Sequence, residues 1–309
     1  MTRTADYLLD GLKKRAIVPA NQSLYTDYDI LCTANDIIFN SLMPLLVSLR
    51  EEFYVTKTRT TVVANQVEYD IPYRAIGRVL REVKYVIQDD SKRRLTRVNP
   101  GDEHLFRSSG SPAGFYMYGD KICLVPKPTQ TGELELWWLM QPNMLVPTSD
   151  AAVVESIVGD VVTFSSMPSS WTAQNQYDMI QGKQGCSILA YDLTPASVDT
   201  ALKQITFVTG EIPTALAAGD WVALAQETPV IMLPDEMYHL LEVELATHIL
   251  SSLGDHDGAK YLSEDLETQY ENVKKILEPR VIGEPKKIVN RSGLLRGSRT
   301  RYRWGWVTR

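Results

Sequence analysis

Cysteine is scarce: three in 309 residues, Cys32, Cys123 and Cys186, far apart and each inside an apolar stretch. That spacing excludes a disulfide framework and fits buried thiols in a reducing compartment. No run approaches the roughly 18 apolar residues of a membrane span, and Met1 to Arg15 is polar and charged rather than the apolar core of a leader. The expectation is a chain made in the cytoplasm that stays soluble. Catalytic signatures are missing as well. There is no Gly-rich phosphate loop, nucleophile elbow, His-Glu-x-x-His helix or Cys-x-x-Cys pair. An enzyme is therefore not expected, and neither a metal nor a cofactor is called for.

Two weaker constellations carry a plain reading beside a chemical one. Asp255-His256-Asp257, with His248 nearby, has oxygens and imidazoles of the kind that hold metals. The plain reading is a turn between helices in which Asp257 caps the second helix and His248 packs on an apolar face. The acidic pairs Glu51-Glu52 and Glu242 with Glu244 could serve as acid and base in glycoside cleavage, which needs two carboxylates across a cleft. Among 38 acidic residues such pairs arise freely. They equally suit a solvated face, or an acidic wall along which DNA slides.

Charge is distributed unevenly. Pro285 to Arg309 carries Lys286, Lys287, Arg291, Arg296, Arg299, Arg301, Arg303 and Arg309 without a single acid. The rest of the chain then holds 24 basic against 38 acidic residues, a balance of −14. An acidic body with a basic arm seeks an acidic partner. The arm has no helical face to bury and alone should lack a fold. Its Tyr302, Trp304 and Trp306 interleave with arginines. That pattern suits stacking on nucleic acid, or aromatic anchoring in protein grooves with arginine–carboxylate pairs, and an uninformative tail is the third reading.

Periodicity divides the chain. Tyr7, Leu8 and Leu12 lie on one face of a short helix ended by Pro19. Thr26 supplies a capping oxygen for a longer helix to about Arg50, carrying Ile30, Leu31, Ile37, Ile38, Leu42, Leu45, Leu46 and Leu49, with Pro44 placed to kink or split it. From Phe53 to Leu139 a two-residue alternation gives strands. The clearest hairpin is Phe115 to Leu124 around Gly119-Asp120, with Pro126 and Pro128 stopping the returning strand. A second β-rich stretch, about Leu145 to Met232, repeats the Gly-Asp turn at Gly159-Asp160 and Gly219-Asp220. After Pro234 a helix carries Met237, Leu240, Leu241, Leu245, His248, Ile249 and Leu253 to Gly254, and another carries Ala259, Leu262, Leu266, Tyr270, Val273 and Leu277 to Pro279.

The resulting fold class is α+β: an antiparallel helical bundle with a β-sheet region, an inserted small β domain and an extended C-terminal arm. The divisions are 1–144 for the N-terminal helices and β region, 145–232 for the insertion, 233–282 for the helix pair and 283–309 for the arm. Trp137 and Trp138 are adjacent on one strand and point to opposite faces. One of them packs outside the local core, either as a subunit contact or in a second core layer beneath the helices.

This order of elements resembles the head-to-tail adaptor (connector) proteins of tailed bacteriophages, the short-tailed podovirus type in particular. The segment Gly110-Ser-Pro-Ala-Gly-Phe-Tyr-Met-Tyr-Gly-Asp-Lys-Ile-Cys-Leu-Val-Pro-Lys-Pro128, followed by Gly132-Glu-Leu-Glu-Leu-Trp-Trp138, is similar to a hairpin recurrent in them. So is Gly219-Asp-Trp-Val-Ala-Leu224 leading through Pro234-Asp-Glu-Met237 into the long helix. The resemblance implies a structural virion protein at the head–tail junction, about twelve copies closed into a ring between portal protein and tail tube or nozzle, with double-stranded DNA passing without sequence specificity. It further implies that the arm grips the portal, with Tyr302, Trp304 and Trp306 as anchors and Arg291, Arg296, Arg299, Arg301 and Arg303 as charge partners. Readings from other classes are a virion-associated peptidoglycan hydrolase and a DNA-binding module acting through the arm.

Overall fold

The computed structural model describes residues 3–15, 26–87, 91–182 and 187–277. Pro19, Cys186, Pro279 and the whole basic arm lie outside the described residues. The chain is α+β, as its periodicities predict.

Five α-helices share one apolar core: α1 (Ala5–Arg15), α2 (Asp27–Ile37), α3 (Met43–Arg50), α4 (Asp235–Ser252) and α5 (His256–Leu277). Helix α1 buries Ala5, Leu8, Leu9 and Leu12, while Tyr7 is half exposed outside that stripe. Thr26 forms a full capping box at α2. Its hydroxyl accepts from the Asp29 amide at 3.2 Å, and its own amide donates to Asp29 Oδ2 at 2.9 Å.

Pro44 does split the helix that follows. Its ring removes an amide donor at the start of α3, and the turn before it, Ile38–Leu42, widens to π-helix, with the Met43 amide reaching back to Ile38 O. By length and composition the stretch Asp27–Tyr54 is apolar enough to cross a membrane, with mean hydropathy 1.6 in its best window. A search for an unbroken apolar run misses it because Asn35, Asp36, Asn40 and Ser41 interrupt the sequence. Its Ile30, Leu31, Ile37, Ile38, Leu42 and Leu46 are packed in the helical core.

Helix α4 runs through the centre of this core and is buried on nearly all sides, from Met237 to Ile249. Gly254, at φ +84°, ends it in the left-handed conformation that favours glycine. Helix α5 packs back on α4 and α3 through Leu262, Leu266, Tyr270, Val273 and Leu277, and Ala259 at its start is buried as well. This is the seam its three- and four-residue spacing predicts.

Between α3 and α4 the described residues form nineteen strands, short and long. The first group is β1 (Val55–Val62), β2 (Glu68–Asp70), β3 (Ala75–Val86), β4 (Lys92–Arg94), β5 (Thr96–Arg97), β6 (Ser109–Gly110), β7 (Gly114–Tyr118), β8 (Lys121–Val125), β9 (Lys127–Pro128) and β10 (Gly132–Met140). One sheet has the order β1-β10-β3-β4 and a second the order β2-β8-β7-β5. Leu134, Leu136, Trp138, Val83 and Tyr85 from the first meet Tyr69, Phe115, Ile122 and Leu124 from the second in a sandwich core.

The β7–β8 hairpin turns at Gly119-Asp120 with Gly119 at φ +61°, as expected of a tight turn, and Tyr118 opposes Lys121. Strand β8 ends at Val125 before Pro126. Pro128, by contrast, sits in β9, where it pairs with Gly110. Gly132 opens β10 because a Cβ there would stand 2.6 Å from the Tyr85 hydroxyl.

The remaining strands are β11 (Met144–Leu145), β12 (Ala152–Val158), β13 (Val161–Phe164), β14 (Tyr177–Ile180), β15 (Ile188–Leu193), β16 (Ser197–Asp199), β17 (Gln204–Thr206), β18 (Trp221–Leu224) and β19 (Glu227–Thr228). Seven of them form one sheet in the order β15-β14-β18-β12-β13-β17-β16. Phe164, Trp171, Tyr177 and Phe207 meet edge-on in its core. Gly159, at φ +59°, makes the β12–β13 turn. The chain enters and leaves this sheet side by side, β11 pairing in parallel with β19. The side chain of buried Asn35 brackets Leu145 there, accepting from its amide at 2.7 Å and donating to its carbonyl at 3.1 Å.

Two substitutions probe these cores separately. Trp138→Ala removes a fully buried indole from the sandwich and should cost about 3–5 kcal/mol in urea unfolding. Thr26→Ala removes only a helix cap and should cost about 1 kcal/mol.

Candidate interaction surfaces

The sheet β1-β10-β3-β4 turns its second face to solvent. Register places Lys57 and Arg59 of β1, Glu133, Glu135 and Trp137 of β10, Glu82 and Lys84 of β3, and Lys92 and Arg94 of β4 on that side. Glu135 is nearly buried under its neighbours. It accepts from Lys92 Nζ at 2.9 Å and Trp137 Nε1 at 2.8 Å, and Arg59 Nε lies 3.5 Å away. The hydrogen bonds from Lys92 and Trp137, with the charges of Lys92 and Arg59, hold its carboxyl down to about 2. Glu133 pairs with Arg59 at 3.2 Å, and Glu82 with Lys84 at 3.1 Å and Arg94 at 3.3 Å. Lys84 also stands over the Trp137 ring at 4.5 Å.

The two tryptophans thus part company. Trp138 is fully buried, donating to Thr58 Oγ1 at 2.7 Å and meeting Tyr191 edge-on. Trp137 is half-buried on the outer face. A bulge between them adjusts the register against β3.

A buried polar hub joins the sandwich to the seven-stranded sheet. Arg74, just before β3, forks onto Asp178 of β14 at 2.7 and 3.0 Å and reaches Asp192 of β15 at 2.6 Å. Asp178, fully buried, also accepts from Asn143 Nδ2 at 2.6 Å and from the amides of Asp192 and Gln226 at 2.9 and 3.0 Å. Burial opposes the charge on Arg74, but the bonds and charge of Asp178 outweigh it and the pKa is raised. Tyr73 donates to Asp192 at 2.6 Å. Sequence reading passed over these residues. The available signal was Asp178 itself, an acid inside the apolar run Tyr177-Asp-Met-Ile180.

The other candidates take structural roles. Asp255, not Asp257, caps α5. Its carboxylate accepts from the Gly258 amide at 2.9 Å and its carbonyl from Ala259, which leaves Asp257 inside the first turn. His248 is exposed rather than packed, because α4 turns that position away from the core that buries Leu245 and Ile249. Among the described residues no His, Cys, Asp and Glu side chains group as three or more metal ligands. Glu51 pairs with Arg81. Glu242 is buried with His239 3.7 Å away, whereas Glu244 accepts from Tyr270 at 2.9 Å. Cys123 is buried and Cys32 half-buried. The arm residues Arg291, Arg296, Arg299, Arg301, Tyr302, Arg303, Trp304 and Trp306 lie outside the described residues.

Residues 45–168 match the model of the SU10 adaptor protein family. The match runs from α3 through the sandwich, including the Trp137 face, to the first hairpin of the seven-stranded sheet. The matched stretch is less than half of the chain, and over it the chain is similar to SU10 adaptor proteins. No curated protein matches the chain.

Truncating the hub should be severe. Arg74→Ala leaves Asp178 buried without its partner and should cost about 3–5 kcal/mol in urea titrations, whereas Arg74→Lys, which keeps the charge but loses the two-pronged contact, should cost less. Glu135 gives a pH signature. A carboxyl at about 2 when folded and near 4.5 when unfolded stabilises the fold fully above about pH 4.5, and this is lost as pH falls toward 2. Glu135→Gln should therefore be less stable than the parent at pH 7, with the gap in urea midpoint closing between pH 4.5 and 2.

Proposed function

We propose that this chain is a structural head-to-tail adaptor of a short-tailed phage, about twelve copies of which close into a ring between the portal and the tail tube or nozzle, with double-stranded DNA passing through. The observation that carries the reading is the family match over residues 45–168. The division of charge supports it. A body at −14 with an arm at +8 is built to hold a partner through the arm while its own wall repels the DNA backbone. In this reading the arm orders on the portal, with Tyr302, Trp304 and Trp306 as anchors and Arg291, Arg296, Arg299, Arg301 and Arg303 meeting carboxylates. Residues 145–232 form the inserted unit, 1–144 and 233–282 the adaptor body, and the insertion faces other tail components.

Native mass spectrometry of the protein mixed with the portal ring tests the reading. Full-length chain should bind in multiple copies, and a chain ending at Gly283 should fold but fail to bind. A truncated chain that joins the portal as well as the parent overturns the arm's role, and an inert full-length chain overturns the adaptor reading.

A further inference from the structure

The seven-stranded sheet has a core of its own, and every member of that core lies between Ala152 and Leu224. Among the described residues little apolar surface crosses from it to the body. Ile188 and Tyr191 rest on the sandwich core, and Ile188 and Trp221 on Val230 and Met232, with all three only half-buried. Two small cavities lie along the same joint. One of about 100 Å³ sits between Thr56, Met140, Ile188 and Met232, and one of about 80 Å³ beside Tyr73, Arg74, Asn143 and Gln226. A boundary with few apolar contacts and gaps in its packing opens at a lower free energy than the cores on either side.

What closes this joint is polar. From outside the sheet, Arg74 and Asn143 donate to Asp178, and Arg74 and Tyr73 to Asp192. The two backbone amides that complete the shell of Asp178 both belong to residues in the left-handed region, Asp192 at φ +56° and Gln226 at φ +69°. Aspartate tolerates that conformation and glutamine does so less readily, and such backbone persists only where surrounding bonds hold it. Gln226 is exposed and stands on the outgoing connection, immediately before β19. The incoming connection, residues 146–151, follows β11, which Asn35 ties to α2. Each connection thus runs from an anchored ribbon to the sheet, where a hinge takes up rotation.

We infer that the seven-stranded sheet swings from the body as one piece on these two connections, latched shut by the Asp178 cluster. A partial displacement leaves a buried charge unpaired, so the joint has two states, closed and open to water, rather than a continuous range. Opening frees Gln226 from its left-handed backbone and leaves the cores on both sides intact. The latch belongs to the isolated chain and stands whether or not the adaptor reading holds.

Hydrogen exchange of the full-length protein, read amide by amide by NMR, tests the latch. The amides of Asp192 and Gln226 report on it, and those of Leu136, Val162 and Leu241 on the sandwich, sheet and helical cores. In the parent the latch amides should exchange at least about tenfold faster than the core amides. Asp178→Asn should raise the latch rates about tenfold more and leave the core rates within about twofold. Gln226→Gly relaxes the closed backbone and should slow the Asp192 amide about threefold, a change that misfolding could not produce. Should Asp178→Asn fail to fold, Tyr73→Phe removes only a half-exposed hydroxyl bond to Asp192 and should raise the latch rates about threefold. Latch and core amides that exchange together in the parent, or core rates that climb with the latch rates in either variant, overturn the inference, because the sheet then leaves the body only by unfolding. Latch rates unmoved by Asp178→Asn or Tyr73→Phe, or raised by Gln226→Gly, overturn it as well.

Discussion

The carboxylate of Asp178 is the point on which the arrangement of the sheets depends. It is fully buried and accepts from Arg74, Asn143 and the amides of Asp192 and Gln226. These donors come from the entrance to β3, from the chain's passage into the seven-stranded sheet, from that sheet's edge strand and from the passage out. A buried charge with so many donors has one low-energy arrangement, since displacing any segment strands a lone pair in a medium that cannot solvate it. Position, rather than raw stability, is what such a cluster supplies. It holds the seven-stranded sheet against the sandwich where Ile188 and Tyr191 pack on the sandwich core.

Strand β10 shows how one segment serves two environments. Leu134, Leu136 and Trp138 face the sandwich core, while Glu133, Glu135 and Trp137 face out. The outward acids do not leave the surface acidic, because the flanking strands bring cations to each of them. A chain whose body is strongly acidic thus carries a local basic face with an aromatic centre, and that face falls inside the stretch matching the adaptor family.

The helical layer depends on α4. It is buried on nearly every side and needs neighbours all round, which α1, α2, the π-helical turn Ile38–Leu42 and α5 provide. Close approach has its own local requirements. A side chain on Gly11 of α1 would meet Glu242 Oε1 at 2.6 Å, so that position leaves room for the buried acid. Ser41, Tyr270 and Glu244 then link the π-helical turn, α5 and α4 through hydroxyl bonds of 2.8 and 2.9 Å.

Local chemistry alone decided much of this protein. The capping box at Thr26, the break at Pro44, the turns at Gly119 and Gly159, and the seam of α5 each follow from interactions spanning a few residues, and they are legible as such. Opposed faces for Trp137 and Trp138 follow from the period of a strand. Which tryptophan is buried does not, because that depends on a second sheet packing against one side only. Asp255 displaced Asp257 as the cap because the helix begins where its first amides find an acceptor, and His248 faces solvent because the core beneath α4 lies to the other side. The Arg74 hub and the basic face were illegible for the same reason. Arg74 and Asp192, for example, lie 118 residues apart in the chain, and only tertiary packing brings such charges within reach of one another.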